Sequence, residues 1–226
     1  MGNSLIEYIV LFGAAFLASF AVFLLKLKFT KNLRLFISFS GAFLLAICVL
    51  HLIPEIYSGY TEKIGLFILL GFLLQVLLEF FSDGIEHGHY HSHDKDLLVF
   101  PYAVFISLCI HSFIEGMALV DTSAHNHIHD HSYSLLSGIV IHKIPVAIVL
   151  STMLLSKNLS KLTFVIAIII FSISSPLGLL LANSKFLVDF ESPTIFLALA
   201  VGIFLHISTT ILFESSEGHR FNLKKF

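Results

Sequence analysis

Seven stretches of the chain are rich in apolar residues, poor in charge and long enough to cross a bilayer. They run over Leu5–Leu25, Leu35–Ile56, Ile64–Phe81, Leu97–Val120, Leu135–Leu155, Leu162–Ala182 and Ile195–Phe213. A hydrocarbon core of about 30 Å takes about 20 residues of helix. The pattern therefore predicts seven spanning helices in an all-α, polytopic transmembrane bundle. The first stretch has no basic residue ahead of it, carries Glu7 early and is too long for the apolar core of a signal peptide, which predicts a retained helix. Polar residues collect in short connections, with no linker to a second domain, so residues 1–226 are expected to form a single transmembrane domain.

The basic residues order the topology. Lys26, Lys28, Lys31 and Arg34 lie in the first connection, Lys95 in the third, Lys157 and Lys161 in the fifth, and Arg220, Lys224 and Lys225 in the tail. The second and sixth connections hold only Lys63 and Lys185, and the fourth holds no Lys or Arg. Cytoplasmic loops carry the excess of Lys and Arg. The odd connections are therefore expected inside and the N-terminus outside, in a multi-pass protein of the cell (plasma) membrane.

Composition agrees with the pattern. Apolar residues make up 57% and charged residues 12% of the chain, against about 45–50% and about 25% in soluble domains. Mean hydropathy is +0.93. A net charge of −2 argues against a nucleic-acid partner. Cys48 and Cys109 both fall inside apolar stretches, where they are expected as small buried hydrophobes rather than a disulfide framework.

Two connections are rich in histidine. The third, expected on the cytoplasmic side, runs from Glu86 to Asp94 and contains His87, His89, His91 and His93. The fourth, expected outside, spans Asp121–His131 and contains His125, His127, His129 and His131. Alternating imidazoles are the composition of loose transition-metal binding; a merely polar loop is the plainer alternative.

The sharper signals lie within the spans. His111-Ser-Phe-Ile-Glu115-Gly116 and His142-Lys143-Ile-Pro145 place ionisable groups deep in apolar runs. A charge at the bilayer centre costs about 2.5–3.5 kcal/mol on insertion scales, so such residues commonly face a pathway or a partner. His111 and Glu115, four residues apart, share one helix face, as two ligands of one cation would. Gly116 lets a neighbouring backbone approach. Pro145 removes a backbone donor and frees the Ile141 carbonyl. The plain alternative is polar side chains that hydrogen-bond helix to helix.

Together these phrases resemble the ZIP (zinc- and iron-regulated-transporter-like) family of divalent-metal transporters. That family's fourth helix carries His-Asn-x-x-(Asp/Glu)-Gly, similar to His111, Ser112, Glu115 and Gly116, with serine for asparagine. Its fifth carries a His-x-x-Pro phrase, similar to His142, Lys143 and Pro145, with Val146 where a ligand is usual. His51-Leu-Ile-Pro54-Glu55 resembles its second-helix phrase, and Gly202-Ile-Phe-Leu-His206 its seventh. The resemblance covers essentially the whole chain, including a His-rich loop between the third and fourth helices.

What the resemblance implies is a transporter and not an enzyme, carrying zinc, or alternatively Fe2+, Mn2+ or Cd2+, toward the cytoplasm with no organic cofactor. Its partners are the lipid bilayer and the metal ion. The core ligands would be His111, Ser112, Glu115 and His142, with His51, Glu55, His206 and the loop residues His87, His89, His91 and His93 auxiliary. Lys143 stands where a second metal is often bound, and the expectation is that it pairs with Glu115 in that metal's place. The family usually has eight helices; an eighth would follow Phe226, or a seven-helix form would be completed by a homodimer. Two other classes compete: a seven-helix zinc-dependent membrane hydrolase, with His206 or His51 as third ligand, and a cation-diffusion-type metal exporter. No His-Glu-x-x-His phrase supports the first, and the absence of a soluble C-terminal domain weighs against the second.

Overall fold

The computed structural model describes residues 2–26, 31–58, 63–82, 100–119, 129–157, 159–184 and 193–214, and all regular structure among them is helical. The helices are α1 (Gly2–Leu25), α2 (Lys31–Ile47), α3 (Ile53–Ser58), α4 (Ile64–Ser82), α5 (Tyr102–Met117), α6 (His129–Ser156), α7 (Lys161–Ala182) and α8 (Pro193–Glu214). The chain folds as a polytopic helical membrane bundle. α2 and α3 form one rod, joined by a π-helical turn over Cys48–Leu52. Pro54 is the cause. It has no N–H to return to the carbonyl one turn back, so the helix widens just before it and the Ile53 N–H reaches the Cys48 carbonyl, the wider spacing of a π-turn.

Among the described residues, six spans are long and apolar enough to cross a membrane: those built on α1, α2 with α3, α4, α6, α7 and α8. The fourth span is shorter than the apolar run Leu97–Val120 predicts. Helix α5 has 16 residues, about 24 Å at 1.5 Å per residue. Pro101 sets its start, occupying the N-cap position; proline lacks an N–H and disfavours helical backbone in the residue before it. Its end tightens where the Leu119 N–H bonds the Gly116 carbonyl at 3.2 Å. At α7 a hydroxyl sets the boundary: the Ser160 side chain accepts the Thr163 N–H at 3.1 Å, as an N-cap does.

Glycine decides which helices touch. A Cβ on Gly71 would overlap the Leu199 carbonyl oxygen, and one on Gly202 would overlap that of Ile68, so the α4 and α8 backbones run in direct contact. The same reciprocity joins α5 to α7: Gly116 lies against the Ser175 carbonyl and Gly178 against that of Phe113. Close approach through small residues is how helices bind each other where lipid removes the hydrophobic drive. Around these contacts the bundle divides into two packing groups. α1, α5, α6 and α7 form one; α2, α3, α4 and α8 form the other; they meet chiefly along α2–α6 and α4–α5. Inward side chains such as Leu150, Phe171 and Phe204 are buried, while Leu17, Leu66, Phe80 and Leu162 face outward. Cys48 is buried, Cys109 half-buried, and both are free thiols.

Candidate metal centre

The site lies where α5 faces α6. On α5, His111 and Glu115 are one turn apart, with His111 Nε2 3.0 Å from Glu115 Oε1. From α6, His142 brings its ring to a centroid separation of 6.1 Å from that of His111, nearly perpendicular to it at 85°. One ligand atom from each of His111, Glu115 and His142 lies within 4.8 Å of the other two, and all three residues are buried. Two imidazoles and a carboxylate suit zinc and its first-row neighbours. Three protein ligands with a fourth position left to water is the arrangement of exchangeable zinc sites.

Lys143 follows His142 but is turned about 100° round the helix, as successive residues are, and reaches the far side of Glu115. Its Nζ donates to Ser112 Oγ at 2.7 Å, Glu115 Oε2 at 3.0 Å and Ser175 Oγ at 2.6 Å. It also lies 5.7 Å from the centroid of the Phe171 ring. Three ammonium hydrogens thus meet three oxygens, although the side chain is only 1% exposed. A buried charge is tolerable on those terms, paired and fully hydrogen-bonded. Glu115 serves both sides, one oxygen toward His111 and the other toward Lys143.

The other sequence-singled residues distribute as follows. Ser112 Oγ is held by Lys143 Nζ and lies 3.3 Å from Ser175 Oγ. His206 is apart from the cluster: its Nε2 lies 3.3 Å from Glu79 Oε2, across α4 and α8, and its ring meets that of Phe72 edge-on at 4.8 Å. His51 sits in the π-helical turn and Glu55 in α3, both half-buried, and neither belongs to the three-residue group. His87, His89, His91 and His93, with the rest of the tract at 86–94, lie outside the described residues. So does residue range 121–128; of 129–131 only the helical backbone at the start of α6 is described.

Four participants escape the motif reading. Ser175 donates to the Ser112 carbonyl at 2.5 Å while accepting from Lys143. Gln75 and Ser40 lie beside His111 and His142 respectively, and Glu79 pairs with His206. The signals existed. Ser174-Ser175-Pro176 puts paired hydroxyls ahead of a proline inside α7, and Gln75 and Glu79 are polar residues four apart in an otherwise apolar helix.

A family model described as "ZIP Zinc transporter" matches residues 84–226. The chain is 26% identical over 153 residues to Protein zntD of Dictyostelium discoideum, a match covering 62% of this chain and 22% of that protein. It is 29% identical over 144 residues to Zinc transporter ZIP1 of Plasmodium falciparum (isolate 3D7), covering 58% of this chain and 39% of that protein. The matched stretch thus spans well under half the length of either relative.

Proposed function

This chain belongs to the ZIP zinc transporter family, and we propose that it carries a divalent transition metal, zinc first, across a membrane toward the cytoplasm. His111, Glu115 and His142 bind the ion in transit. The observation that carries this reading is the convergence of their ligand atoms within 4.8 Å, buried between α5 and α6. A three-ligand site suits transport, because cargo must be held well enough to enter and loosely enough to leave. Water completes the coordination beside Val146. The names of the relatives, zinc transporters by description in the Plasmodium case, favour zinc over Fe2+, Mn2+ and Cd2+.

One ion occupies the core at a time. The Lys143 ammonium, 3.0 Å from Glu115, takes the place of a second metal. Access alternates by one packing group moving against the other, around a site that stays intact; the glycine contacts within each group support it as a unit. The orientation is N-terminus outside, with the 86–94 histidines concentrating metal at the inner mouth and those at 121–131 at the outer.

The test is zinc uptake into vesicles holding the full chain. Wild type should show saturable uptake. His111→Ala and His142→Ala should each remove it while the protein still inserts. Robust uptake by the double variant would overturn the site. Lipid hydrolysis by wild type, without uptake, would favour the hydrolase reading instead.

A further inference from the structure

We infer that Gln75 and Ser40 are positioning residues for the two imidazoles, and that they act from the opposite helix group. This rests on reading His111, Glu115 and His142 as the metal site.

The geometry begins with Gln75 Oε1, 3.2 Å from His111 Nδ1, and Ser40 Oγ, 3.5 Å from His142 Nδ1. Both partners are wholly buried, at 0% exposure, where a polar group is tolerable only if hydrogen-bonded. The Ser40 hydroxyl gives its hydrogen to the Ile37 carbonyl at 2.8 Å. Toward His142 it offers only lone pairs, so the ring must donate from Nδ1. A carboxamide oxygen is likewise only an acceptor, so His111 donates from Nδ1 as well. Both rings are thereby held in one tautomer, with Nε2 as the nitrogen left for a metal. Fixing tautomer and ring orientation in this way is the usual work of groups behind a ligating histidine, and removing them typically costs about 10- to 100-fold in metal affinity.

The placement gives these bonds a second consequence. The ligands lie on α5 and α6, in one packing group; Gln75 on α4 and Ser40 on α2 lie in the other. Lys143 differs: its partners Ser112, Glu115 and Ser175 all lie on α5 and α7, within its own group. When the groups shift, the ammonium stays with the site, while both imidazoles lose their orienting partners together. The metal is then held by rings free to turn. Affinity falls as the groups move, so release is coupled to the motion without any ligand leaving the site.

The experiment measures equilibrium zinc binding by the purified full chain, by competition with a chromophoric chelator. Binding lost in His111→Ala defines the core site against any loop histidines. Gln75→Met keeps length and removes the acceptor; it should weaken core binding about 10- to 100-fold. Gln75→Glu keeps an acceptor and should hold affinity near wild type. Ser40→Ala, the deletion of one hydroxyl, should move in the direction of Gln75→Met. Thermal unfolding of the zinc-free proteins reports folding separately. Wild-type affinity in Gln75→Met or in Ser40→Ala overturns the inference. So does equal loss in Gln75→Met and Gln75→Glu, which would mean packing rather than hydrogen-bond acceptance. If those variants match a wild type that does bind zinc through His111, only this inference falls. If wild type shows no His111-dependent zinc, the metal-site reading falls and takes this inference with it.

Discussion

Lys143 Nζ lies 3.0 Å from Glu115 Oε2, with both side chains almost completely withdrawn from solvent. The pair joins α5 to α6 on the side of Glu115 away from His111. On the proposed metal-site reading, a fixed positive charge there would repel a second divalent ion and leave one carboxylate oxygen for the first.

The stoichiometry follows. With the tracts 86–94 and 121–131 both deleted, elemental analysis of the wild-type chain should give one zinc per core. Lys143→Glu replaces the ammonium with a ligand and should admit a second. Two equivalents in the wild-type core would refute the exchange of a metal for a lysine.

Stability should follow the same pair. Lys143→Ala leaves Glu115 without its strongest partner; breaking a buried pair from one side typically costs about 3–5 kcal/mol. Ser175→Ala removes one of the three acceptors of Lys143 and the donor to the Ser112 carbonyl, a loss of about 1–3 kcal/mol for groups left unsatisfied. Denaturant titration in detergent should rank Lys143→Ala below Ser175→Ala, and both below wild type. An unchanged midpoint for Lys143→Ala would show that the ammonium is not held by Glu115.

Glycine contacts should be unequal in their tolerance. Gly116→Ala drives a Cβ into the Ser175 carbonyl and must push α5 from α7, an overpacking cost of about 1–3 kcal/mol. Because the same contact supports Ser175 beside Lys143, zinc binding should weaken too. Gly13 has nothing within 4 Å of its would-be Cβ. Gly13→Ala should therefore be neutral, or stabilising by about 0.5–1 kcal/mol through helix propensity. Thermal melting of the two variants side by side checks the contrast; equal effects would contradict it.

Deletion of His87–His93 should change the capacity or regulation of uptake and leave transport itself in place. On the proposed reading, a tract of alternating imidazoles concentrates metal and the path runs through the buried site instead. A well-folded deletion variant with no uptake would place the loop within the permeation route.

The amino-acid sequence by itself determined the spans and one face of the site. Hydrophobic length is a one-dimensional property, so bilayer thickness selects the crossings directly; α5 falls short, where Pro101 delays its start, and α6 begins at His129, ahead of the expected Leu135. The 3.6-residue repeat is equally local, and it put His111 and Glu115 on one face before any neighbour was known. Which helix lies opposite was another matter. In lipid the outward and inward faces are both apolar, so the pattern carries little direction, and association depends on where backbones can touch. Only the tertiary structure put Gly116 against Ser175 and Gly71 against Leu199. The glycine contacts set Ser175 beside Lys143 and His206 beside Glu79, away from the central cluster, while the packing of α4 on α5 and of α2 on α6 brought Gln75 and Ser40 to the imidazoles. Each joins side chains on different helices, 32 or more residues apart, and follows from how the helices pack rather than from any spacing along the chain.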